Sequence, residues 1–167
     1  MAKDLHCYEY VNRPFEQVRM VLASDAVGLF DRATQTAAGR ARALVSNLKV
    51  SVAGLEIGKN VVIRVAAVEQ HATAPGELAP GAIRLDLEWE AETTSALFPA
   101  MRASLLAYPL SATETQLDLR GTYEPPGGLL GSAADILVGH RIAEASVHRF
   151  LDEVASRLSQ ELVPGVR

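Results

Sequence analysis

Residues 132–162 carry the longest helical pattern in the chain, and this pattern constrains the fold more than any other feature. At about 100° per residue, apolar side chains gather on one side of the helix and charged side chains on the other. The apolar side consists of Ala133, Ile136, Ala143, Val147, Leu151, Val154 and Leu158, and the charged side of Arg141, Arg149, Asp152 and Glu153. A single helix roughly 45 Å long with one apolar stripe needs a broad apolar surface to cover it, which favours a sheet.

That surface is expected from the strand-like segments that precede the helix. The clearest is Ile83–Glu90, in which apolar residues at 83, 85, 87 and 89 alternate with charged residues at 84, 86, 88 and 90. Such alternation is typical of a sheet with one buried and one solvated face. The other segments are 44–54, 60–70, 96–108 and 115–123, separated by glycine, proline and asparagine turns. The last of them repeats the alternation, with Leu117, Leu119 and Tyr123 on one face against Gln116, Asp118, Arg120 and Thr122 on the other. With Leu5–Asn12 near the start, these segments predict an antiparallel sheet of six to seven strands.

Two short helices are expected between the first strand and the rest of the sheet. Pro14 ends the strand and suits the first turn of a helix. Helical spacing follows it, and Ser24-Asp25 interrupts that spacing before it resumes. The apolar residues are Phe15, Val18, Val21 and Leu22 in the first helix, and Val27, Leu29, Phe30 and Ala33 in the second.

Composition narrows the class of protein. At 167 residues the chain is expected to form one domain, residues 1–167. Sixteen basic residues against twenty acidic ones give a net charge of −4 without a basic cluster, so nucleic acid is not an expected partner. No apolar run reaches the roughly 18 residues of a membrane span, and a cytoplasmic location is expected. Cys7 is the lone cysteine, which excludes an intrachain disulfide and a thiolate cluster; no metal or other cofactor is expected.

The stretch GTYEPPGGLLGSAAD, residues 121–135, is the segment most similar to a phosphate-binding loop. It lacks the lysine that a Walker loop requires, and no strand follows it to complete a dinucleotide-binding unit. Its prolines end a strand, its glycines permit a turn, and Ser132 with Asp135 suits a capping box. We therefore interpret the stretch as a corner between the last strand and the last helix.

The order of these elements resembles the helix-grip fold of the START-like (SRPBCC) superfamily, which includes polyketide cyclases, lipid-transfer proteins and pollen allergens. The most specific parts, LEWEAETTSALFPAM (87–101) and GTYEPPGGLLG (121–131), are similar to bacterial members. The resemblance implies an α+β fold in which a curved antiparallel sheet wraps around a long C-terminal helix. It also implies that two short helices close one end and that an apolar cavity lies between sheet and helix. The superfamily shares no catalytic motif, so the resemblance assigns no catalytic residue.

His140 is the most prominent polar candidate, because it falls in the middle of the apolar stripe. An imidazole there would orient a ligand or act as a general acid or base. The alternative is a structural histidine whose hydrogen bond is satisfied by a backbone carbonyl or by Glu144. Its spacing from Glu144 and His148 does not suit a metal site, because the row drifts around the helix and lacks a fourth ligand.

Apolar candidates for the cavity wall come from the strands and the second short helix. Trp89, Met101, Leu105 and Tyr123 are expected to face the cavity, and Phe30 to lie near its entrance. Each also fits ordinary core packing. Arg102 alternates onto the other face with Ser104 and is expected to be solvated.

Three functions stay open at this point. The first is binding or transport of a small hydrophobic molecule in the cavity, with His140 or Tyr123 orienting one polar group. The second is a cyclase or dehydratase that uses His140 as acid or base. The third is an interaction module, including a homodimer, whose cavity is filled by side chains.

Overall fold

The computed structural model describes residues 2–47, 61–72, 81–91, 100–123 and 133–162. Five strands and two helices occur in these ranges. In chain order they are β1 (Lys3–Val11), α1 (Phe15–Asn47), β2 (Val61–Ala72), β3 (Ala82–Ala91), β4 (Met101–Pro109), β5 (Thr115–Tyr123) and α2 (Ala133–Glu161). The predicted α+β class and the long final helix are confirmed.

The strands form one antiparallel sheet in the order β1-β5-β4-β3-β2. This sheet has five strands among the described residues, so the prediction of six to seven was wrong. The error lies at residues 44–47, which were assigned to a strand and are the last turn of α1. The preceding run AAGRARAL is rich in strong helix formers, which explains why the helix continues. The rest of that predicted strand lies outside the described residues.

Helix α1 contains the break that the sequence predicted. Asp25 has non-helical backbone angles, φ −140° and ψ 36°, which divide α1 into two helical parts. The second part runs to Asn47 and is therefore longer than the short helix expected there. Its start resembles an N-cap, since the Asp25 carboxylate lies over Gly28, where a side chain would collide with it.

One face of the sheet and both helices share a single apolar core. Inward-facing strand residues such as Leu85, Leu105 and Leu119 are fully buried, as are the α2 residues Phe150 and Leu151. The alternate residues of β3 and β5 lie on the outer face of the sheet, as the period of two predicted, although Asp118 in β5 is buried there. No helix among the described residues is long and apolar enough to cross a membrane.

The C-terminal end of α2 is attached to the corner between β1 and α1. The Arg13 guanidinium donates hydrogen bonds to the carbonyl oxygens of Ser159 and of Leu162, the latter at 2.7 Å. The hydroxyl of Thr115 in turn donates to the carbonyl of Arg13 at 2.9 Å. One arginine thus connects the end of α2 to the sheet.

Candidate functional site

A cleft of about 460 Å³ opens at the end of the sheet where β1 and β4 begin and β3 and β5 end. The register of the strands brings together the residues that line this cleft. Trp89 pairs with Met101 across β3 and β4, and Met101 pairs with Tyr123 across β4 and β5. Three large side chains that are distant in the sequence therefore stand side by side in one row.

The cleft is bordered by apolar residues at its inner end and by polar residues at its rim. Trp89, Met101 and Tyr123 lie at the inner end and are almost completely covered, at only 2%, 3% and 1% exposed. The other described lining residues are Ala2, Ala100, Glu88, Arg102 and Thr122. The last three alternate onto the outer face of the sheet and supply the polar atoms.

Arg102 belongs to this rim and is solvated, as the sequence predicted. Its side chain is 86% exposed, and its Nε lies 3.7 Å from Glu88 Oε1. An exposed pair at this separation contributes little to stability. Both charges therefore remain accessible at the mouth of the cleft.

Trp89 carries a polar atom that its surroundings leave unsatisfied. Its indole Nε1 is buried and has no hydrogen-bond acceptor in the part of the chain that the structure describes. A buried donor without an acceptor costs about 1–3 kcal/mol. The ring makes an edge-to-face contact with Phe150 at a centroid distance of 4.8 Å, and Phe150 contacts Phe30 at 5.8 Å.

Two other candidate residues lie elsewhere. Phe30 and Leu105 are both fully buried in the packed core and are not among the described lining residues of the cleft. His140 lies in α2, but its side chain is outside the described ones. The structure therefore brings together three of the six proposed ligand-binding residues. Phe150, which contacts Trp89, was not among the residues proposed from the sequence, although its spacing from Val147 and Val154 places it on the apolar stripe.

A second polar cluster lies on the outer face of the sheet. The side chain of Asp118 is only 7% exposed. Its carboxylate accepts a hydrogen bond from Nε of Arg120 at 3.0 Å and lies 3.2 Å from Nε2 of His6. The register of β1 against β5 brings these groups together. The sequence showed Asp118 only as one of the alternating polar residues, so the cluster was not predicted.

The Asp118 carboxylate of this cluster affects the pKa of the buried Cys7 thiol. Burial, followed by the carboxylates of Asp118 and Glu9, raises the pKa of Cys7 from 9.0 to about 12. A thiol that stays protonated is a poor nucleophile, so a structural role fits Cys7.

We expect the stability of the protein to fall as the pH rises from about 9 towards 12, because the unfolded chain loses the Cys7 proton in this window while the folded chain keeps it. Each such proton contributes about 1.4 kcal/mol per pH unit. Urea unfolding of the wild type and of Cys7→Ala, at several pH values in this window, measures the difference in slope. Parallel curves for the two proteins would show that Cys7 ionises normally in the fold.

No protein-family model and no curated protein matches this chain. Solved structures do match over nearly the whole length. The Zhui aromatase/cyclase from Streptomyces sp. R1128 is 14% identical over 96% of both chains, with a TM-score of 0.47. Norcoclaurine synthase from Thalictrum flavum, solved with dopamine and hydroxybenzaldehyde, is 11% identical over 98% of this chain and 90% of its own, with a TM-score of 0.45.

A third match, Ara h 8.0201, is 6% identical over 96% of this chain and 99% of its own, with a TM-score of 0.46. All three are START-like helix-grip proteins, the superfamily that the sequence resembles. At these identities and TM-scores, the likeness carries no ligand, activity or site residue over to this chain.

Proposed function

We propose that this protein binds a small, predominantly apolar molecule in the cleft at the end of the sheet. The observation that carries the proposal is the row formed by Trp89, Met101 and Tyr123, which walls a cleft of about 460 Å³. This volume falls in the range of roughly 300–1,000 Å³ typical of small-molecule pockets.

The chemistry of the wall sets the kind of ligand. Apolar surface of the ligand that leaves water on entering the cleft supplies the affinity. The polar groups of Glu88, Arg102 and Thr122 keep the mouth hydrated, so a ligand with one polar end fits with that end outward. For a ligand of drug-like size we expect a dissociation constant of about 10–100 µM.

The cyclase alternative depends on His140, whose side chain lies outside the described ones. The interaction-module alternative remains the competing hypothesis, because the inward-facing residues that the structure describes are closely packed. A protein that takes up no ligand at the cleft would favour that alternative.

The test is uptake of the environment-sensitive ketone 6-propionyl-2-dimethylaminonaphthalene. Trp89 is the sole tryptophan, so energy transfer from tryptophan to the bound dye reports proximity to this wall. We expect saturable binding, a blue-shifted dye emission and quenching of the tryptophan emission.

Ala100→Phe is the variant that tests the location. Ala100 is exposed and lines the cleft, so a phenyl ring there fills the space without disturbing the core. We expect at least about tenfold weaker dye binding, since the apolar contact area is lost. Ser111→Phe, which adds the same ring at an exposed position beyond the other end of β4, is the matched control and should bind like the wild type. Equal binding by the wild type and Ala100→Phe would rule out this cleft as the site.

A further inference from the structure

We propose that the polar end of the ligand is a singly charged tetrahedral oxyanion, as in a sulfate ester or a phosphodiester, and that it binds on the outer face of the sheet between Arg102 and Arg120. This inference rests on the proposed function, since the apolar part of the same molecule occupies the cleft. Its starting point is a shallow groove of about 290 Å³ on the outer face. The groove and the cleft share Glu88, Arg102 and Thr122, so the two adjoin at the mouth of the cleft.

The register of β4 and β5 arranges two arginines and two hydroxyl groups in one block of the groove. Arg102 pairs with Thr122, and Ser104 pairs with Arg120. The arginines therefore occupy one diagonal of this β4–β5 block and the hydroxyl groups the other. Diagonal neighbours in antiparallel strands are about 7–8 Å apart, a distance that two long side chains can span around one ion. An oxyanion above the centre of the block lies within reach of donors from all four residues.

Both guanidinium groups keep donors for such an ion. Arg120 donates through Nε to Asp118 Oδ1 at 3.0 Å. Nε of Arg102 faces Glu88 Oε1 at 3.7 Å. The terminal nitrogens of the two arginines make no hydrogen bond to any described residue. The side chains of Arg102 and Arg120 are 86% and 63% exposed, so these nitrogens are open to a molecule in the groove, and charged N–H groups of this kind bind oxyanions strongly.

Acidic residues on the β3 side limit the charge of the head group. Asp86 and Glu88 line the groove together with the two arginines, so its lining residues carry two negative and two positive charges. A dianion such as a phosphate monoester meets twice the repulsion from these carboxylates that a monoanion meets. A tetrahedral group also presents oxygens towards both strands of the β4–β5 block, whereas a planar carboxylate presents two oxygens in one plane. A singly charged tetrahedral group therefore suits the groove best.

Three probes separate the head group from the apolar chain: octyl sulfate, 1-octanol and methyl sulfate. Isothermal titration calorimetry gives their dissociation constants for the wild type and for Arg102→Gln, Arg120→Gln and Arg84→Gln. Arg84 is a 46% exposed arginine on the outer face of β3 that is not among the described lining residues of the groove. Its replacement makes the same change in net charge and is the matched control. The ratio of the constants for 1-octanol and octyl sulfate measures the head-group preference and cancels changes in apolar affinity.

We expect the wild type to bind octyl sulfate at least about tenfold more tightly than 1-octanol. This preference should fall by about 3- to 10-fold in Arg102→Gln and in Arg120→Gln, and it should be unchanged in Arg84→Gln. Should Arg120→Gln fail to fold because it uncovers the Asp118 carboxylate, Ser104→Leu takes its place. Leucine fills the centre of the β4–β5 block without a change of charge, and it is expected to lower the preference by a similar factor.

The outcomes separate this inference from the proposed function. If the wild type shows no preference for octyl sulfate, or if the preference falls equally in Arg84→Gln, the oxyanion site is overturned, and uptake of the fluorescent ketone still reports the cleft. If methyl sulfate binds as tightly as octyl sulfate, the groove takes a free anion independently of the cleft, which overturns the inference as well. If neither the fluorescent ketone nor the octyl probes bind the wild type, the proposed function fails, and this inference fails with it.

Discussion

Replacement of Phe150 with alanine is expected to lower the free energy of unfolding by about 3–5 kcal/mol. The ring is fully buried and lies between two others, 4.8 Å from Trp89 and 5.8 Å from Phe30 between centroids. It therefore joins β3, α1 and α2 through one contact set. Truncation removes the transfer free energy of the ring and leaves a void that the surrounding helices and sheet fill only in part.

Urea unfolding followed by Trp89 fluorescence measures this effect, with two matched controls. Phe150→Leu keeps most of the volume and should cost less than about 1.5 kcal/mol. Tyr8→Ala removes a ring of similar size that is 53% exposed on the outer face, and it should cost less than about 1 kcal/mol. A loss in Phe150→Ala no larger than that in Tyr8→Ala would contradict a packed aromatic centre.

The same variant bears on the interaction-module alternative. If side chains fill the space between the sheet and α2, Phe150→Ala creates an apolar void where the wild type has none. We expect its void to take up benzene, which the packed core of the wild type does not bind.

The hydrophobic periodicity and the cap and turn residues of the sequence were enough to predict most of the fold. The strict alternation in Ile83–Glu90 corresponds to β3, and the apolar stripe from Ala133 onward corresponds to α2. The Ser24-Asp25 pair marked the kink in α1, because aspartate favours helix caps. Residues 44–47 were assigned to the wrong element because a short apolar run suits both a strand and the end of a helix.

The site was less predictable because it depends on register. Trp89, Met101 and Tyr123 were each expected on an inward face, but so was Leu105, which lies deep in the core. Only the pairing of β3 with β4 and of β4 with β5 shows that the first three form one row at the sheet end. The sequence period fixes the face that a strand residue occupies, and it does not fix the partner opposite.

The polar cluster of His6, Asp118 and Arg120 on the outer face was also unpredictable because it depends on strand register. Asp118 and Arg120 were expected in the solvated row of β5, and Arg120 is exposed there. Their juxtaposition with His6, which lies 112 positions earlier in the chain, follows from the β1–β5 register alone. Long-range polar contacts of this kind leave no local pattern for a single sequence to show.

Replacement of Arg13 with methionine is expected to lower the free energy of unfolding by about 2–3 kcal/mol. The last carbonyl groups of a helix have no partner within the helix, and the last turn of α2 has no basic residue of its own. Arg13 supplies donors to Ser159 and Leu162 from the β1–α1 corner, and its positive charge lies at the negative end of the helix dipole. Methionine keeps an unbranched apolar stem and removes every donor.

Two further variants separate hydrogen bonding from charge and from surface effects. Arg13→Lys keeps the charge, but its ammonium lacks the forked geometry that serves two carbonyl groups, so we expect about half of the loss. Arg84→Met removes a 46% exposed arginine paired with Glu69 at 2.7 Å, and it should cost at most about 1 kcal/mol. Urea unfolding gives the three values, and amide exchange at the end of α2 should accelerate most in Arg13→Met, less in Arg13→Lys and not in Arg84→Met. A loss in Arg13→Met equal to that in Arg84→Met would mean that water satisfies these carbonyl groups as well as Arg13 does.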